Sequence, residues 1–81
     1  MRKLTNEDIM KNRVETINQY KVLQYLKRSL NIECFDIYLY DKNAIKIIDT
    51  NEEIGYFEFN EDTKDVSFFE EEKNLDYEIS L

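Results

Sequence analysis

The 81-residue chain has no histidine, no tryptophan and no proline, and only one glycine and one cysteine. Without histidine there is no Ser-His-Asp or Cys-His arrangement and no His-containing zinc site. Cys34 therefore lacks the usual base beside a nucleophilic thiol, and it reads as a half-buried structural residue. A lone glycine, Gly55, is too few for a glycine-rich loop that cradles phosphate. One cysteine excludes an internal disulfide, and no Asn-x-Ser/Thr acceptor occurs, so the chain suits the reducing cytoplasm of a bacterial cell, where we place it.

Other absences narrow the function further. No apolar run approaches the roughly 20 residues that span a bilayer. The start, Met1 to Asp8, turns acidic at once and has no apolar core of a secretory leader, so no export is expected. The oxygen-rich stretch Asn60 to Asp65 lacks the central glycine and the distal glutamate of a calcium loop, and it reads as a solvated turn. Neither a metal, a cofactor nor catalytic residues are expected, and the chain is read as no enzyme.

What the chain does have is acid. Eighteen acidic against 11 basic side chains leave a net charge of −7. The balance is segregated: residues 1–30 carry a net of +4, with Arg2, Lys3, Lys11, Arg13, Lys21, Lys27 and Arg28 among them, and residues 31–81 a net of −11. At this size one domain buries only about 60 to 65% of the unfolded surface, a modest core that the 42% hydrophobic content can supply. Basic residues scattered around a helix in so acidic a chain do not favour direct nucleic-acid binding, and the same net charge opposes anionic lipid.

Periodicity divides the chain in two. Apolar residues recur at helical spacing from Ile9 to Leu30, with Thr5 as N-cap, Asp8 three residues later and Leu4 placed as a staple on Ile9, which predicts an N-terminal helix over about 5–30. The stripe changes side along its length. Ile9, Met10, Val14, Ile17 and Tyr20 share one face, and Val22, Leu23, Leu26 and Leu30 lie nearly opposite. Either the helix breaks or kinks near Asn18-Gln19, or a straight helix makes a second contact with its N-terminal half.

From Ile32 the period becomes two, which predicts strands at about 33–40, 44–49, 54–60, 66–70 and 75–81 joined by short connections. Such connections imply an antiparallel meander, so the expected fold is a single α+β domain, one helix packed across a four- to five-stranded sheet. Phe35, Ile37, Leu39, Ile45, Ile47, Phe57, Phe59, Val66 and Phe68 should turn inward. Alternation then places Cys34, Asp36, Tyr38, Tyr40, Ile48, Tyr56 and Phe69 on the outer face, and a tyrosine-rich face suits an interface.

Two groups of residues emerge as a partner-binding surface. The first is acidic: Glu52, Glu53, Glu58, Glu61, Asp62, Asp65, Glu70, Glu71, Glu72 and Asp76, with Glu78 beyond them. Carboxylates two apart on a strand stand about 6.7 Å from one another on one face, so a sheet can display negative charge in a row, as a phosphate backbone does. The second group is the aromatic set Tyr38, Tyr40, Tyr56 and Phe69.

In size, acidity, Asn/Ile/Lys-rich style and helix-plus-meander layout, the chain resembles the small phage inhibitors of host defence, the anti-CRISPR and DNA-mimic anti-restriction proteins. The resemblance carries no shared motif and assigns no residue. It implies a non-enzymatic inhibitor that covers the basic surface of a nucleic-acid-binding protein such as a CRISPR or restriction nuclease. The alternative from the residues is a small self-associating module, a homodimer joined through the outer sheet face or the helix.

Overall fold

A computed structural model describes residues 1–70, and the expected strand over 75–81 lies outside those residues. The element order is β1 (Arg2–Lys3), α1 (Asn6–Met10), α2 (Ile17–Ser29), a short 3-10 turn (Ile32–Cys34), β2 (Asp36–Asp41), β3 (Ala44–Ile48), β4 (Ile54–Asn60) and β5 (Asp65–Glu70). The strands form one antiparallel sheet in the order β1-β2-β3-β4-β5. The α+β class thus stands, with one main helix on one face of an open five-stranded sheet. No helix among the described residues is long and apolar enough to cross a membrane.

The helical third differs from the expectation of one N-terminal helix. The first element is β1, and the helical stretch is broken in two between Lys11 and Thr16, upstream of Asn18-Gln19. Each piece has its own capping box, Thr5 with Asp8 and Thr16 with Gln19. Asn12, in the left-handed region at φ 58°, ends the first piece, and its Oδ1 accepts from Gln24 Nε2 at 2.6 Å and Lys27 Nζ at 2.7 Å. The linker is thereby tied to α2. A straight helix with a second contact is excluded by this break, and the change of apolar side along the sequence reflects two helices with separate axes.

Gln19 holds the start of α2 in place. Its Oε1 accepts from Glu15 N at 2.9 Å and Thr16 N at 3.1 Å, while its Nε2 donates to the Asp41 carbonyl at 2.6 Å. These bonds satisfy a side chain that is buried, and they fasten the helix to the β2–β3 turn. From there Val22, Leu23 and Leu26 follow Gln19 at helical spacing and are fully buried. Ile17 and Tyr20 point away and are exposed.

Beneath α2, Ile37, Leu39, Ile45, Ile47, Phe57 and Phe59 fill the inner face of the sheet, and Leu4 closes one side. Each such side chain contributes about 1.5 to 3 kcal/mol by leaving water, the main term holding a domain of this size together. Phe35 and Val66 are half-buried against this core. Phe68 shares the inner side yet is 53% exposed, because α2 lies chiefly over β3 and β4. Residues Glu33 and Cys34 belong to the 3-10 turn and not to a strand, so Cys34 is an exposed free thiol and not the half-buried one expected.

Candidate partner-binding face

Among the described residues no helix lies on the outer side of the sheet. Register places Lys3, Tyr38, Lys46, Tyr56 and Phe69 in one row across all five strands. Within that row the Tyr56 and Phe69 rings stack with centroids 5.0 Å apart and an interplanar angle of 9°. Lys46 Nζ lies 6.0 Å from the centre of the Tyr38 ring, a distance at the outer limit of a cation–π contact.

Tyr40 joins the group through a bulge. Leu39 pairs with Ile45 and Asp41 with Ala44, so Tyr40 is the additional residue of β2 between them. Its ring meets that of Tyr56 at 4.5 Å and 58°. Tyr56, flanked by Tyr40 and Phe69, is only 5% exposed although it stands on the open face. Tyr40 and Phe69 remain 44% and 37% exposed. The four aromatic residues singled out from alternation, Tyr38, Tyr40, Tyr56 and Phe69, are thus brought onto one face.

The acids are arranged differently. Glu52 and Glu53 lie in the β3–β4 loop, where Asp49 Oδ1 accepts from Asn51 N at 2.8 Å and Glu53 N at 3.0 Å and Glu52 adopts φ 65°. Glu70 ends β5 opposite Gly55 at this same end of the sheet. Glu61, Asp62 and Asp65 stand at the other end, in and beside a turn in which Asn60 Oδ1 accepts from Asp62 N at 2.8 Å and Thr63 N at 3.1 Å. Glu61 also accepts from Asn18 Nδ2 at 3.2 Å, which ties that turn to α2.

Glu58, half-buried on the outer face, lies between the two groups. Successive connections of an antiparallel meander emerge at opposite ends, so the described acids form two clusters separated by the length of β4, about 20 Å, and not one row. Glu71, Glu72 and Asp76 lie outside the described residues. The middle of the face is close to neutral: Lys3 pairs with Asp36 at 3.4 Å, and Lys46 and Glu58 carry opposite signs.

Sequence reasoning missed both lysines of the row, Lys3 and Lys46. Lys46 was readable, since it alternates with Ile45 and Ile47 in a strand whose other face was assigned. Lys3 was not, because a two-residue strand leaves no period to detect. Among the described residues no group of three or more Cys, Asp or Glu side chains is placed to hold a metal ion. No protein-family model matches the chain, and no curated protein or solved structure matches it.

Proposed function

We propose that the protein is a non-enzymatic inhibitor that lays its open sheet face on the basic surface of a nucleic-acid-handling protein, such as a CRISPR or restriction nuclease. The observation that carries this reading is the aromatic group Tyr38, Tyr40, Tyr56 and Phe69 on a face that no described element covers, with an acidic cluster at each end. Aromatic anchors in a pre-formed group lose little side-chain entropy on binding and supply apolar area, while the flanking carboxylates steer a cationic partner and set orientation. No bond is made or broken in this mechanism; the partner's nucleic-acid site is occupied by competition.

The test is a DNA-cleavage assay on a panel of purified CRISPR and restriction nucleases, with the protein titrated at low and at high salt. Inhibition of a panel member that weakens with salt, and that is lost in the Tyr38→Ala/Tyr40→Ala variant, supports the reading. Full cleavage by every nuclease at saturating protein removes it.

A second reading is favoured by the near-neutral centre of the same face. Two copies can stack these faces without opposing like charges there, which would make the protein a homodimeric structural or regulatory module. Sedimentation of the protein alone separates the two: a monomer at high concentration leaves only the inhibitor reading.

A further inference from the structure

The opposite side of the molecule carries a second surface. Among the described residues β5 pairs only with β4, and its other edge is open. Between that strand and α2 runs a groove of about 630 Å³, walled by Tyr20, Lys21, Tyr25 and Arg28 of α2 and by Lys64 and Val66. Its size falls within the range of ligand-binding clefts.

Its charge is opposite to that of the chain. Lys21, Arg28 and Lys64 face a single lining acid, Asp65, and none of the three takes part in an ion pair among the described residues. Lys21 is held over the Phe59 ring at 4.7 Å, which fixes its ammonium at the wall of the groove. Among the described residues the groove thus holds three cations to one acid, in a chain of net charge −7. Two residues along from Val66, on the same side of the strand, Phe68 is 53% exposed and offers apolar area. An open strand edge supplies main-chain donors and acceptors, the apolar area supplies burial, and the cations select an anion.

We propose that the β5 edge and this groove take an extended acidic segment of a partner protein, added as a strand to β5. Its inward residues place an apolar side chain against Phe68 and a carboxylate among Lys21, Arg28 and Lys64. The site lies on the helix side of the sheet and stands independently of the outer face.

The experiment uses the full chain and a fluorescent eight-residue peptide of Leu, Thr and Glu in which Leu and Glu take turns along one face of the extended strand and Thr fills the other, read by anisotropy. Its isosteric control carries Gln for Glu. Binding that falls with salt, is about tenfold weaker for the Gln peptide and falls about tenfold in Arg28→Glu or Lys21→Glu, while Lys42→Glu in the β2–β3 turn leaves it unchanged, is the expected result. Equal binding of both peptides, or indifference to Arg28→Glu and Lys21→Glu, overturns the proposal. Carbodiimide cross-linking gives the third outcome. Links from Lys21 or Lys64 to carboxylates of residues 71–81 in the same chain, undiminished by added peptide, assign the groove to the protein's own C-terminal sequence and likewise overturn it.

Discussion

The Phe68 ring lies over Gly55: a Cβ built on that glycine would stand 2.5 Å from Phe68 Cε1. The chain's single glycine therefore marks a close approach on the inner face, where the ring also tilts against Phe57 at 5.0 Å and 55°. Gly55→Val pushes a branched side chain into that ring and should cost about 1 to 3 kcal/mol by urea unfolding. Removing the ring as well, in Gly55→Val/Phe68→Ala, should recover part of the loss. Strict additivity of the two single variants would show that the contact carries no weight.

The two threonine caps should differ in effect. Thr16→Ala removes the bond to Gln19 N and the one that Thr16 Oγ1 donates to the Lys42 carbonyl, and α2 carries the core, so a loss of about 1 to 2 kcal/mol is expected. Thr5→Ala removes a similar cap from α1, which has no buried residue, and should cost less. Thermal denaturation of both variants ranks them.

Burial on α2 gives a sharper contrast. Leu23→Ala empties a fully buried position and should cost about 2 to 5 kcal/mol, whereas Ile17→Ser at a 73% exposed position should change stability by less than about 0.5 kcal/mol. Equal losses in chemical denaturation would mean that the N-terminal turn of α2 is packed as well.

Asp8 contributes to acid sensitivity. The hydrogen bond from Thr5 N holds its carboxyl below the ordinary aspartate value of 3.8, with Thr5 Oγ1, Arg2 and Arg13 adding to the effect against partial desolvation. A depressed folded-state value contributes stability that is present above 3.8 and is lost as pH falls through the lowered value. Asp8→Asn should therefore lower stability at pH 7 and flatten its decline below pH 4. An unchanged acid limb in urea titrations at successive pH values would sink the assignment.

The outer face was legible because alternation is a strict rule. Once Ile37 and Leu39 point in, Tyr38 must point out, and the same logic placed Tyr56 and Phe69. The bulge that turns Tyr40 toward Tyr56 left no trace in composition, since it depends on how β2 meets β3. Helix position was harder. Thr16 and Gln19 form a capping box that is visible in the sequence, yet the change of apolar side pointed to a break at Asn18-Gln19 or a straight helix and not to a new start at Thr16. The exposure of Phe68 depends on the width of a 13-residue helix against a five-stranded sheet, a relation between elements that no local pattern encodes. Charge misled for a topological reason: residues adjacent in the acidic count, such as Glu53 and Glu61, leave the meander at opposite ends.

The strand order also sets a sequence of events in folding. β2 to β5 join neighbours through connections of a few residues, so their pairings close small loops at little entropic cost. β1 meets β2 only after the whole helical third has been laid down, because Lys3 must find Tyr38. A two-residue strand gains few bonds for so long a closure. The N-terminal strand is then expected to zip last and open first, and the amide of Leu4, bonded to the Ile37 carbonyl at 2.8 Å, should exchange with solvent deuterium ahead of Ile45 at the centre of the sheet.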